Sequence, residues 1–315
     1  MMDKGSFGAD EYVLVVGGVN IDIGGQPFGR LEPKTSNPGV IRTALGGVGR
    51  NIAHNLSLLG KKVVFLTAFG DDLYAGQIEG SCARLGIDIS HARIVPGGKT
   101  SAYLFLSDEQ GDMETAVSDM QICEQITPEY LEENLSLIKN AAVIAADTNI
   151  PEESLAYLTG HADAPVFIDP VSVAKAEKLR GILPRIHTLK PNLTEAAALT
   201  RVQITGKESS HEAAEKLVET GVKRVFLSMG DKGVLAADSA GLKRYPGARV
   251  TVRNTTGAGD SFMAGLIYSY IEGFSMEQTC LFASGCAAMT IEAEETINSE
   301  LSAEAVTEYI RRMEQ

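Results

Sequence analysis

Short, almost unbroken apolar runs recur along the chain, each followed by a stretch with helical spacing. Residues 12–18 (YVLVVGG), 62–69 (KVVFLTAF), 142–146 (AVIAA), 166–169 (VFID) and 224–229 (RVFLSM) show no alternating polar face. Strands covered by protein on both sides read this way, because neither face meets water. Helical patterns lie between them, at 51–59, 129–139, 151–160 and 211–219. A strand followed by a helix, many times over, predicts an α/β fold: a doubly wound, mostly parallel sheet flanked by helices.

Two segments break this rhythm. Residues 21–44 hold Gly24, Gly25, Pro27, Gly29, Pro33 and Pro38, with alternating apolar positions near the end. Residues 94–120 carry TSAYLFL, a DEQGD turn and ETAVSDM, the pattern of a β-hairpin. Both follow early strands, so they predict a small β-strand lid, with segments at about 21–44 and 94–120, growing from one core. No Ser/Pro-rich linker, low-complexity tract or internal repeat interrupts the 315 residues, so a single domain is expected.

Composition narrows the function. Apolar residues make up 44% and charged residues 22%, which excludes a disordered chain. Lys and Arg total 28 against 41 Asp and Glu, a net charge of −13. An acidic chain lacks the basic field that dominates nucleic-acid affinity, so no nucleic acid partner is expected. A nucleoside or nucleotide held in a local pocket stays compatible. There is no run of 18 apolar residues to span a membrane, and MMDKGSFGADEY lacks the apolar core of a signal peptide. Cys82, Cys123, Cys280 and Cys286 are scattered, with no CxxC pair, and read as reduced, buried thiols of a cytoplasmic protein. The five histidines are equally scattered and suggest neither a metal nor a catalytic site.

Three places carry candidate chemistry. In NTTGAGD (254–260), followed by SFMAGLIYSYIEG, Phe262, Met263, Leu266, Ile267, Tyr270 and Ile271 recur at helical spacing. Gly257, Ala258 and Gly259 therefore open a buried helix, where small residues let backbone N–H groups approach an anion. Asp260 sets a carboxylate beside that anion hole, as phosphoryl transfer to an alcohol requires. An ordinary Gly-rich helix start would use the same residues. In GGVGRN (46–51), Gly46 and Gly47 let the backbone close on a ligand hydroxyl, and Asn51 both donates and accepts. This is not GxGxxG, and Gly98-Lys99-Thr100 lacks the upstream glycine of a P-loop, Arg93 standing there instead. Asn20 and Asp22, two residues apart on an extended chain, share a face and can grip vicinal hydroxyls. A helix cap and a strand-end turn would account for these last two motifs taken singly.

Taken together, NID at the first strand exit, GGVGRN, KPN followed by Glu195, SMGDKG (228–233) and NTTGAGD occur in this order. The combination resembles the ribokinase-like, phosphofructokinase-B type carbohydrate kinases over essentially the whole chain. SNPG (36–39), TSAYL, SDM (118–120), ADTNI, DPVS and HTLKPN further resemble the pseudouridine-phosphorylating branch of that family. The resemblance implies an ATP-dependent kinase acting on the 5′-hydroxyl of pseudouridine. The alternatives are a kinase for ribose, another pentose or a different nucleoside, and an inactive nucleotide or sugar sensor, against which the intact GAGD speaks. By the same resemblance Asp260 is the general base, and the N–H groups of Gly257, Ala258 and Gly259 hold the transferring phosphoryl group. Asn192 and Glu195 orient waters around Mg²⁺ brought with ATP, and Ser228, Gly230 and Gly233 belong to the nucleotide loop. Asn20, Asp22, Gly46, Gly47 and Asn51 hold the ribose; Thr100 and Asp119 from the lid, and Asn149 beneath it, face the base. Many members have Asp where this chain has Asn254, in a monovalent-cation loop; Asn254 brings a carbonyl oxygen but no charge, so K⁺ activation does not carry over as a requirement. A lid with open strand edges and one apolar face predicts a homodimer formed through it.

Overall fold

The apolar runs become strands of one nine-stranded sheet. In the computed structural model, which describes residues 11–313, the strand order is Gly241–Tyr245, Val234–Asp238, Arg224–Ser228, Thr188–Leu189, Val166–Asp169, Val143–Asp147, Val13–Val16, Val63–Leu66 and Ile87–Asp88. Val234–Asp238 pairs antiparallel with both Arg224–Ser228 and Gly241–Tyr245; every other pairing is parallel. Val13–Val16 lies inside the sheet, and its side chains alternate between two cores. Leu14 and Val16 pack with Leu66, Ile144 and Ile168 under the helices Glu152–His161 and Lys207–Glu219. Val13 and Val15 pack with Phe65, Phe167 and Met263 under Val48–Leu58, Ala258–Ile271 and Met276–Ile291. Both faces are covered, which is why these strands lack a polar face in the sequence. Each fully buried aliphatic side chain contributes about 1.5–3 kcal/mol.

A second, four-stranded sheet has the order Gly39–Gly46, Asn20–Pro27, Ser101–Ser107 and Met113–Asp119. Its two middle strands run parallel, and the outer ones close antiparallel hairpins on either side. The two irregular segments of the sequence thus meet in one structure. Ile94 belongs elsewhere: Arg93–Val95 pairs with Ala68–Gly70 in a separate ribbon.

Other boundaries also shift. The 62–69 run is interrupted at Thr67, whose carbonyl accepts from the Arg93 amide at 2.8 Å. The helix expected at 129–139 is two helices, Pro128–Glu133 and Leu135–Asn140, parted at Asn134, whose side-chain amide donates to the Tyr130 carbonyl. The helix expected from 51 begins at Val48, and the one expected from 211 begins at Lys207.

Because the strands are parallel, the loops after Val13–Val16, Val143–Asp147, Val166–Asp169 and Thr188–Leu189 emerge at one edge. Such an edge is where open α/β sheets bind ligands.

Candidate active site

At this edge the Ala258–Ile271 helix starts from Gly257, whose φ of 82° is left-handed. A side chain at 257 would also begin 2.1 Å from the Thr296 carbonyl oxygen, so glycine is required twice over. The amides of Asp260 and Ser261 turn back to the Gly257 carbonyl. Those of Ala258 and Gly259 come too early for an intrahelical acceptor and point out of the helix end.

Asp260 sits in this first turn, 8% exposed. Asn51 Nδ2 donates to its Oδ2 at 2.8 Å, across 209 residues of sequence. Arg50, itself buried, donates to Asn51 Oδ1 and to the Leu45 carbonyl, which fixes the way the Asn51 amide faces. Burial pushes the Asp260 carboxyl up to about 8, and the charge of Asp169 adds to it; the Asn51 amide and Lys190 oppose the rise.

Lys190, in the KPN string, was not singled out in the sequence. Its Nζ lies 2.9 Å from Asp169 Oδ2 in a buried ion pair, and a Cβ at Gly259 would lie 2.9 Å from the same nitrogen. Burial works against this ammonium, but Asp169, Asp260 and Glu195 outweigh it and hold its pKa above the usual lysine range. A fixed cation thus adjoins the helix N-terminus and the carboxylate.

A cavity of about 1020 Å³ opens from this point, with Ala258, Gly259 and Lys190 in its wall. Ser228, Gly230 and Gly233 line it too, together with the apolar Val250, Phe262 and Ile291. Ser228, Gly230 and Gly233, expected to meet a nucleotide, therefore share one space with the start of the Ala258–Ile271 helix. Gly233, at φ 87°, would place a side chain 2.1 Å from the Tyr245 carbonyl, so the loop can turn only with glycine. Asn192 and Glu195 form a capping box beside it: Asn192 Oδ1 accepts from the Glu195 amide at 2.9 Å, and Glu195 Oε2 from the Asn192 amide at 2.8 Å. Burial raises the Glu195 carboxyl.

Asn20 and Asp22 share a face of the small sheet, Asn20 Nδ2 donating to Asp22 Oδ1 at 2.6 Å. Gly46 lies so close that a Cβ would sit 2.2 Å from Asp22 Oδ2. Gly47, at φ 102°, caps the Val48–Leu58 helix, and the Asn51 amide returns to its carbonyl. Burial raises the Asp22 carboxyl, against the pull of Asn20 and Arg50.

A buried acid joins these loops. Asp147 accepts from the amides of Gly49 at 2.7 Å and Gly18 at 3.0 Å through one oxygen, and from that of Asn149 at 2.8 Å through the other. It was not picked out in the sequence, nor was Asp169. The signal was there: each is a carboxylate ending a buried apolar strand, where a charge needs partners.

The proposed base contacts fare differently. Asn149 is buried beside Gly18 and accepts from Lys175. The Thr100 hydroxyl donates to Asp72 and accepts from the Gly70 amide, so it braces a loop. Asp119 is not brought to the cluster. Sheet register pairs Ala102 with both Ile21 and Asp119, while Asp22, Tyr103 and Ser118 share the opposite face, and the Asp119 carboxylate takes the Gln121 amide. The β-period of two decides this, and pairing register is invisible in a single strand.

Comparison with known proteins adds to this geometry. Residues 10–303 match the pfkB family carbohydrate kinases. The chain is 41% identical to the pseudouridine kinase of Escherichia coli (strain K12) over 306 residues, 96% of this chain and 98% of that protein. It is 39% identical to the uncharacterized sugar kinase YeiI of the same organism, over 93% of this chain and 82% of that one. Among solved structures it superposes on a carbohydrate kinase from Agrobacterium tumefaciens with a TM-score of 0.83 at 26% identity, covering 96% and 97% of the two chains. The Arabidopsis thaliana ribokinase complexed with ribose and ATP shares the fold, with a TM-score of 0.84 at 23% identity and coverage of 96% and 99%.

Proposed function

This chain belongs to the pfkB family of carbohydrate kinases and is an ATP-dependent phosphotransferase, and we propose that it transfers the γ-phosphoryl group of ATP to the 5′-hydroxyl of pseudouridine. The observation that carries the chemistry is the convergence of Asp260, oriented by Asn51, with the Lys190 ammonium and the outward amides of Ala258 and Gly259, the last three residues lining one large cavity. The choice of acceptor is supported by the 41% identical pseudouridine kinase.

In this reading the nucleotide occupies the cavity with its phosphates toward Ala258 and Gly259. Asp22, Asn20 and Asn51 hold the acceptor hydroxyls. Asp260 takes the 5′-hydroxyl proton as that oxygen bonds to the γ-phosphorus and the bond to the β-phosphate oxygen breaks, releasing ADP. Charge that builds on the equatorial oxygens meets the two amides and the Lys190 ammonium, already in place. Asn192 and Glu195 offer oxygen donors only, which suits Mg²⁺, a hard cation that keeps its waters and rides on phosphate. Among the described residues no three acidic, His or Cys groups form a protein cage. Mg²⁺ bound with ATP would supply charge neutralisation on the phosphates.

Asn254 supports a site that works without K⁺. Its Nδ2 donates to the Glu294 carbonyl at 3.2 Å and its Oδ1 accepts from the Thr256 amide, so the side chain itself ties the two loop segments together. The small sheet is assigned as a lid, and its outer apolar face as a homodimer contact. Four free, buried cysteines support a cytoplasmic setting. No described helix is long and apolar enough to cross a membrane.

A phosphorylation assay with Mg-ATP over pseudouridine, uridine, adenosine, ribose and fructose tests the assignment. Pseudouridine should give the highest kcat/KM. Equal use of uridine would remove the substrate assignment and leave the kinase standing.

A further inference from the structure

We infer that Arg50 is a positioning residue for the phosphoryl transfer: its buried guanidinium orients the Asn51 amide toward Asp260 and braces the strand end beneath Asp22. This deepens the kinase reading above and rests on it.

The first observation is a buried cation that has no ion pair. Arg50 is 7% exposed, and none of the ion pairs among the described residues includes it. Its hydrogen-bond partners are all neutral. Nη1 donates to the Leu45 carbonyl at 3.1 Å and to Asn51 Oδ1 at 3.4 Å, and Nη2 to Ser81 Oγ at 3.2 Å. Cys82 nearby stays a thiol, because burial raises it against the pull of Arg50. His54, one turn along the same helix, is pushed down to about 4 by burial and by Arg50, and so carries no charge. The carboxylate that the guanidinium favours is Asp22: Arg50 and Asn20 hold its charge against burial. An apolar side chain of similar volume would fill this space without the penalty of desolvating a charge. A cation kept there has a use.

The second observation is what the side chain joins. The Arg50 amide donates to the Gly18 carbonyl at 3.2 Å, which anchors its backbone at the exit of the first strand. From there the guanidinium spans to Leu45, near the end of Gly39–Gly46, and to Ser81 in the helix Ala75–Leu85. Leu45 pairs with Ile21, and the next residue, Gly46, pairs with Asn20 and packs against the Asp22 carboxylate. Holding the Leu45 carbonyl therefore holds the strand end on which Asp22 rests.

The third is the polarity of one amide. Asn51 turns Nδ2 to Asp260 Oδ2 and Oδ1 to Arg50. Half a turn of that amide would set its oxygen against the carboxylate and its NH₂ against the guanidinium, unfavourable at both ends. Arg50 thus makes a single orientation compulsory. With Oδ2 occupied, Oδ1 of Asp260 is left to take the proton of the acceptor hydroxyl.

A double-variant cycle tests this. Arg50→Met, Asn51→Ala and the two together are assayed with Mg-ATP and the acceptor that the unaltered enzyme uses best, after thermal melts show that each is folded. Arg50→Met alone should lower kcat roughly 10- to 100-fold and raise the acceptor KM. The KM for ATP should stay unchanged, since Arg50 lies outside the wall of the large cavity. Added to Asn51→Ala, the same change should lower kcat by less than about threefold, because the amide it orients is gone. Arg50→Lys keeps a cation beside Asp22 and should recover part of the acceptor KM; it also replaces the Met variant in the cycle if that one does not fold. Losses in kcat that multiply in the double variant, or a KM for ATP that rises with that of the acceptor, overturn the inference and leave Arg50 as packing. A Lys variant with no recovery of the acceptor KM overturns the brace on Asp22. An unaltered chain that phosphorylates no sugar or nucleoside overturns the kinase reading and the inference with it, and no variant is needed to see that.

Discussion

Asp260 shows how far one side chain's behaviour follows from its surroundings. Its pKa near 8 comes first from burial, then from the nearby negative Asp169. The folded chain therefore keeps a proton that the unfolded chain loses above the ordinary carboxylate range. Stability from this group is complete below about pH 4 and is lost as pH rises toward about 8. Catalysis runs the other way, since only the carboxylate can accept a proton. In the free enzyme, kcat/KM for the acceptor should climb with pH and level off above about 8. Asp260→Asn should lower kcat by roughly 10²- to 10⁴-fold, and its melting temperature should fall less than that of the unaltered chain between about pH 5 and 8. Melts and pH–rate profiles on the two proteins measure both. A wild-type profile flat from about pH 6 to 9 would contradict the role given to Asp260.

At the scale of elements, glycines decide where helices may start and what may approach them. Gly257 and Gly230 make a matched pair. Both have positive φ, 82° and 61°, but a methyl at 257 overlaps the Thr296 carbonyl, whereas at 230 it meets open space. Gly230→Ala should cost only the conformational preference, about 1–2 kcal/mol. Gly257→Ala should cost more, because the Ala258–Ile271 helix must shift, and it should reduce phosphoryl transfer by far more than it weakens acceptor binding. Denaturant melts with single-turnover kinetics separate the two effects; equal losses in stability would show that the overlap relaxes freely. The same scale explains the misread boundaries. The 62–69 run is almost unbrokenly apolar, yet hydrogen bonding from Arg93 to Thr67 divides it between two sheets.

At the scale of the molecule, the small sheet presents two unlike faces. Asp22, Tyr103 and Ser118 share the one assigned above to the acceptor; Ile23, Leu104 and Val117 share the other, with Ile41 further along. Ile41 is 76% and Val117 65% exposed, in a row of apolar neighbours. Such a patch on strands with free edges favours a second protein surface. Sedimentation should find the unaltered chain dimeric, and Ile41→Glu with Val117→Glu should convert it to a folded monomer. A monomeric unaltered chain at micromolar concentration would count against the interface.

Much was legible in the sequence because it depends on local order. Continuous apolar runs meant strands covered on both faces, since a half-exposed strand would alternate. Gly257 to Asp260 marked a candidate anion hole, because small residues opening an apolar helix leave its first amides approachable, although an ordinary Gly-rich helix start uses the same residues. The tertiary structure alone decided which distant groups share a volume. Asn51 reaches Asp260 only because two separate helices start at the same sheet edge. Lys190, Asp169 and Asp147 acquire their roles from partners far away in sequence, and charge in a dry interior is defined by its neighbours. Asp119 lies on the far face for the same reason: strand pairing sets which alternate residues face the ligand, and a one-residue change of register reverses them all.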